Sequence, residues 1–148
     1  MKYEFELNKN RCIACGACSI ACMDQHDTDL EAGDHPFRVV RALEDLSSPD
    51  KPSVYLSSGC LHCDNAPCIA ACPTGCLMKN EMGLTVYDTT LCIGCRSCAM
   101  ACPYGAPTFR YDGKMEKCDG CYARLEHGLL PACVRVCPTK ALTLKEIN

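Results

Sequence analysis

Cys92 to Pro103 reads C-I-G-C-R-S-C-A-M-A-C-P: three cysteines separated by two residues each, a fourth after three more, then proline. The pattern is not isolated. Sixteen of the seventeen cysteines in this 148-residue chain fall into four groups of four. The groups are Cys12, Cys15, Cys18 and Cys22; Cys60, Cys63, Cys68 and Cys72; Cys92, Cys95, Cys98 and Cys102; and Cys118, Cys121, Cys133 and Cys137.

The groups repeat as pairs. Cys12 to Cys22, C-I-A-C-G-A-C-S-I-A-C, lies over Cys92 to Cys102. Pro67 to Leu77, P-C-I-A-A-C-P-T-G-C-L, matches Pro131 to Leu142, P-A-C-V-R-V-C-P-T-K-A-L, with Cys68 over Cys133 and Cys72 over Cys137. The order is A-B-A-B, which predicts a duplicated unit. The run at Cys92 has the spacing that bacterial two-cluster ferredoxins use for 4Fe-4S clusters, in which the triplet wraps one cluster and the fourth cysteine ligates the other. Zinc uses pairs of C-x2-C, but a triplet closed by C-P suits a cubane better. A disulfide scaffold fits poorly, because an odd count leaves one thiol over. The opening Met1–Leu7 is also charged rather than a hydrophobic leader.

The fold class expected is α+β, as two tandem ferredoxin-like units, 1–88 and 89–148, with an insertion at 23–59 in the first. Short helices are predicted at 16–23, 67–71, 97–101 and 132–136, around the third and fourth cysteines of each group. Proline follows Cys72, Cys102 and Cys137 and stops three of them. Cys22 is followed by Met23 and lacks that stop. Strands are expected at 83–87 and 142–144. Within the insertion, 37–43 and 53–56 read as strands joined by turn residues at 47–52, a ribbon whose loop faces a partner, with a plain solvated loop as the alternative.

Composition limits the rest. There is no tryptophan and there are only three phenylalanines, so the apolar core is modest and bound clusters serve as staples. The apo chain is expected to be largely disordered. The formal charge of −3 falls to about −11 with four clusters at about −2 each, which excludes nucleic acid as a partner. Arg96, Lys114, Lys117, Arg135 and Lys140 lie near the cysteines in sequence and are candidates to offset that charge. His62, inside the second group, is a candidate donor to a cluster sulfur; His26, His35 and His127 carry no signal. Cys76 reads as a buried small side chain, with a spare thiol beside a cluster as the alternative. No apolar run reaches the ~18 residues of a membrane span.

Taken together, Cys12–Cys22, Cys60–Gly75, Cys92–Pro107, Lys117–Arg124 and Pro131–Leu142 resemble the four-cluster iron–sulfur subunit of dimethyl sulfoxide reductase-type enzymes. Formate dehydrogenases, nitrate and polysulfide reductases and hydrogenase-linked polyferredoxins share that subunit. The resemblance covers nearly the whole chain. It implies four 4Fe-4S clusters with crossed ligands: Cys12, Cys15, Cys18 and Cys137 for cluster 1; Cys60, Cys63, Cys68 and Cys102 for cluster 2; Cys72, Cys92, Cys95 and Cys98 for cluster 3; Cys22, Cys118, Cys121 and Cys133 for cluster 4. It implies an electron-transfer subunit with no catalytic residues. The expected partners are a catalytic subunit with a molybdenum or tungsten pterin and a further redox subunit or soluble carrier. The alternatives are a tungsten aldehyde oxidoreductase or hydrogenase complex, a free polyferredoxin, and a zinc assembly module. Only eleven residues follow Cys137, from which no direct dock on a membrane quinone subunit is expected. The expected location is the cytoplasm, with export alongside a signal-bearing partner as the alternative.

Overall fold

Proline forces the residue before it out of the α region, and this sets helix length here. The computed structural model describes residues 1–44, 48 and 50–147. Its helices are α1 (Ala17–Gln25), α2 (Pro67–Ala71), α3 (Ser97–Ala101), α4 (Tyr122–Glu126) and α5 (Ala132–Val136). After α2, α3 and α5 the capping cysteines Cys72, Cys102 and Cys137 turn extended, with ψ of 116°, 117° and 112°. Without a proline after Cys22, α1 runs on to nine residues while α2, α3 and α5 stop at five. It therefore ends two residues beyond the expected 16–23. The helix α4 lies between Cys121 and Cys133, where none was expected.

The strands form four two-stranded antiparallel sheets. β1 (Lys2–Leu7) pairs with β8 (Leu142–Ile147) and joins the two ends of the described chain. β2 (Val39–Leu43) pairs with β3 (Val54–Ser58), β4 (Leu77–Lys79) with β5 (Thr85–Tyr87), and β6 (Thr108–Phe109) with β7 (Met115–Glu116). The ribbon expected in the insertion is thus present as β2–β3. Of its expected turn at 47–52, Ser47 and Pro49 lie outside the described residues. β8 runs three residues past the expected 142–144. The expected strand 83–87 starts at Thr85, because Gly83 is in the left-handed region at φ 73° and belongs to the turn from β4. β1, β4, β6 and β7 were not expected.

The insertion is less peripheral than its sequence suggests. Its 24–36 segment is mostly exposed, but Phe37, Arg38 and Ser57 at the base of the ribbon are buried. Phe37 packs with Cys22, Cys60 and Cys118. Two further buried clusters complete the core. One gathers Cys18, Cys133, Val134 and Leu142; the other gathers Ala66, Cys68, Cys76, Leu77, Cys98 and Met115. The helices pack in two pairs, α1 against α5 and α2 against α3. Cysteine therefore does much of the work of an apolar core.

Candidate iron–sulfur centres

Local backbone geometry brings the triplets round. Ala14 and Gly16 have positive φ (56° and 75°), and so do Gly94 and Arg96 at the matching places of the second copy (71° and 64°). His62 and Gly120 match in the same way (50° and 75°), as do Gly75 and Lys140 (68° and 55°). These left-handed residues turn the chain inside each C-x2-C loop and after each C-P-T step.

The helix pairs then bring distant cysteines together. α1 carries Cys18 and Cys22 one turn apart, and α5 with its cap carries Cys133 and Cys137. Cys12, Cys15, Cys18 and Cys137 line one small cavity. Cys60, Cys63, Cys68 and Cys102 line a second, where α2 meets α3. Cys72, Cys92, Cys95 and Cys98 line a third. At Cys22, burial first, then Cys133 and Cys121, push the thiol up to about 12. Cys118 is buried with Cys22.

The donor chemistry fits metal clusters. Burial, and after it Cys60, raises the Cys118 thiol against Lys117 and Arg38, and burial raises Cys121 to about 11. Thiolates this deep need compensating positive charge, and bound iron supplies it. Peptide N–H groups already reach the sulfurs: His62 to Cys60 at 3.4 Å, Met115 to Cys92 at 3.3 Å and Gly120 to Cys118 at 3.4 Å. In the cavity of Cys60, Thr85 Oγ1 is buried and has no hydrogen-bond partner among the described residues. An unpaired hydroxyl there fits a wall built to face cluster sulfide.

A polar junction lies between Cys60 and Cys118. Thr85 donates its N–H to His62 Nδ1 at 3.0 Å, so the ring proton belongs on Nε2, which lies 3.5 Å from Cys118 Sγ. His62 is held neutral, pushed down to about 2 by burial and by Lys117, Lys79 and Arg38. Its ring stacks on Phe5, with centroids 5.7 Å apart. Lys117, only 1% exposed, donates Nζ to Cys60 Sγ at 3.6 Å, to Cys118 O at 2.6 Å and to Thr85 O. Three acceptors use all three ammonium protons.

The other basic candidates divide. Lys114 Nζ reaches the carbonyls of Thr89 and Cys92 at 3.0 and 3.4 Å, and Arg96 lies 4.3 Å from the centroid of the Phe109 ring. Arg135 and Lys140 are exposed. Sequence reasoning missed Arg38, which is buried and bonds Ser57 O and Oγ at 3.2 and 3.1 Å; burial raises the Cys133 thiol, and Arg38 works against that rise. Its only signal was a charge inside a strand-like run. His26 was also passed over: its Nε2 lies 3.9 Å from both Cys121 Sγ and Asp119 Oδ1. Cys76 is 2% exposed, donates to Asp88 O at 3.1 Å and lines the cavity of Cys72, Cys92, Cys95 and Cys98. It is thus both the buried small side chain expected and a thiol beside that quartet.

Residues 52–147 match the 4Fe-4S dicluster domain family. The probable anaerobic dimethyl sulfoxide reductase chain YnfG of Escherichia coli (strain K12) is 41% identical over 99% of this chain and 75% of its own length. The thiosulfate reductase electron transfer subunit PhsB of Salmonella typhi is 39% identical over 95% of this chain and 74% of its own. The arsenate respiratory reductase iron-sulfur subunit ArrB of Shewanella sp. (strain ANA-3) is 29% identical over 100% and 83%. No described helix is long and apolar enough to cross a membrane. The mixed helix and strand content is that of a ferredoxin-like domain, and its cofactors are 4Fe-4S clusters. The chain belongs to the 4Fe-4S dicluster family, among the iron–sulfur electron-transfer subunits of reductase complexes.

Proposed function

We propose that the chain conducts electrons through four centres to or from a molybdenum- or tungsten-pterin catalytic subunit. Each bound 4Fe-4S cluster supplies a one-electron couple. The proposed ligands are Cys12, Cys15, Cys18 and Cys137 for cluster 1, and Cys60, Cys63, Cys68 and Cys102 for cluster 2. Cluster 3 takes Cys72, Cys92, Cys95 and Cys98, and cluster 4 takes Cys22, Cys118, Cys121 and Cys133. In this reading two tandem units, 1–88 and 89–148, exchange ligands across their helix pairs. Its support is the paired positive-φ residues in the two copies and the packing of α1 on α5 and α2 on α3.

The carrying observation is adjacency. α1 and α5 join clusters 1 and 4, the Lys117–His62 junction joins 4 and 2, and α2 and α3 join 2 and 3. The order is 1-4-2-3. Cys15 and Cys95, one in each end cluster, are exposed, whereas all four cysteines of cluster 4 are buried. One end serves the catalytic subunit and the other a redox subunit or soluble carrier. A reducing compartment such as the cytoplasm suits a chain whose cysteines are kept as thiolates for iron.

The test is anaerobic purification of the native protein with its partners, followed by metal analysis. Molybdenum or tungsten in a larger bound subunit supports the reading, and the metal separates the reductase type from the aldehyde-oxidoreductase type. Iron alone in a free 16.1 kDa chain overturns it in favour of a diffusible polyferredoxin.

A further inference from the structure

We infer that Lys117 and Thr85 make the Cys60 centre the first of the four to accept an electron. The inference rests on the ligand sets proposed above. A reduced cluster carries one more negative charge than an oxidised one, so cations and hydrogen-bond donors at its sulfurs raise its potential. They act most strongly where water is excluded and the local dielectric is low.

Lys117 Nζ lies 3.6 Å from Cys60 Sγ, and among the described residues it is the lysine with a hydrogen bond to a quartet sulfur. Its ammonium cannot swing away, because Thr85 O and Cys118 O hold the other two protons. Thr85 Oγ1 lines the same cavity with its proton unassigned to any protein acceptor among the described residues. Lys79 adds a second cation nearby, fixed on His62 O and Gly83 O at 2.8 and 3.0 Å. The carboxylate on this side, Asp64, is exposed and therefore screened.

The other centres are less favoured. At cluster 4, Cys118 receives the neutral His62 ring and all four cysteines are buried, which disfavours added negative charge; Lys117 also acts on Cys118 and Arg38 on Cys133, but Asp119, which accepts from Cys121 N at 2.8 Å, opposes them. At cluster 3, Lys114 is spent on two carbonyls and Arg96 is exposed. At cluster 1, Cys18 has the neutral Ser57 hydroxyl at 3.3 Å. A first electron therefore settles in the interior, one step from either neighbouring centre, and not at a surface end.

The experiment is a redox titration followed by electron paramagnetic resonance on loaded protein, with lysine labelled by nitrogen-15 at Nζ. In the native chain, pulsed measurements of the first-reduced centre are expected to show coupling to a lysine Nζ. In Lys117→Met the first midpoint is expected to fall by at least tenfold in the reduction equilibrium, about 59 mV for a one-electron couple. Thr85→Val keeps the side-chain shape and removes an unpaired hydroxyl, so its fold is retained. Its first midpoint is expected to fall by a smaller amount, with about sixteen iron atoms still bound. A first-reduced centre without lysine coupling overturns the inference, whatever Lys117→Met does to folding. An unmoved midpoint in loaded Thr85→Val removes Thr85 from it. The ligand reading fails separately: a Cys60→Ser protein that keeps its full iron content sinks that reading and not merely this one.

Discussion

Cys76 and Ala141 occupy the same place in the two copies of the C-P-T repeat, and both are 2% exposed. The second copy thus shows that a methyl fills this position. Cys76→Ala is expected to keep about sixteen iron atoms per chain and to cost about 1 kcal/mol, the net worth of its bond to Asp88 O. Cys98→Ser is expected to lose about four iron atoms. Iron and sulfide analysis of both variants decides, and iron loss in Cys76→Ala defeats the ligand sets. Arg38 is the harder residue. The sequence shows it between Phe37 and Val39 in a run read as ribbon, and no spacing rule links it to cysteines about twenty to ninety-five positions away. Only the folded chain brings it beside Ser57 and Cys133. Gly59 completes the fit, since a Cβ there would lie 2.9 Å from an Arg38 guanidinium nitrogen. Arg38→Met removes a buried cation from among buried thiolates and is expected to cost about 3 kcal/mol. Urea unfolding of the loaded protein, followed by cluster absorbance, measures it; a midpoint equal to the native one rules out a compensating role.

Among the elements, the helices around the third and fourth cysteines were legible, whereas α4 and half of the strands were not. Cysteine spacing marks a short helix between third and fourth ligands, and proline marks its end, so α2, α3 and α5 were placed to the residue. β6 and β7 have only two residues each, too few for any period to emerge. β1 is different. Lys2 to Leu7 alternates polar and apolar and buries every second residue in part, a period-two signal that spans only six residues. Its partner β8 is more than a hundred residues away, and such a pairing has no local signature. The tight loops make the sharpest prediction at this scale. Gly94 has φ 71°, and a Cβ there would meet Gly113 O at 2.8 Å. Gly94→Ala pays for the left-handed conformation, about 1 kcal/mol or more, as well as for a backbone clash. A loss of about 2 kcal/mol or more is expected, with cluster 3, the one Cys92 and Cys95 hold, lost first. Ala14, at the equivalent place in the first copy, already holds φ 56°, so Gly94→Ala tests the clash more than the dihedral. Retention of all clusters at native stability contradicts the packing described for this loop.

For the molecule as a whole, burial follows the proposed order of centres. With the proposed ligand sets, Cys15 and Cys95 would be exposed corners of clusters 1 and 3, cluster 2 would have Cys60 and Cys68 buried, and every cysteine of cluster 4 would be buried. The duplication visible in sequence explains why the two exposed corners match: Cys15 and Cys95 hold the same place in the repeat. It does not explain which centres lie inside, because that follows from α1 meeting α5, α2 meeting α3, and the ribbon base closing over Cys22 and Cys118. A chelator must reach iron through a corner that opens to solvent. Limited chelation under anaerobic conditions is therefore expected to remove iron in two phases of about eight atoms each, the outer pair first. The inner pair stays until the fold opens, since Lys117, His62 and Phe37 seal the Cys60 and Cys118 sulfurs between the two halves of the core. Spectra taken after the first phase should retain the centre reduced first and lose the two with exposed cysteines. A single phase of about sixteen atoms, or early loss of the inner pair, is incompatible with the order 1-4-2-3, because that order requires any electron crossing the chain to pass through its two most protected centres.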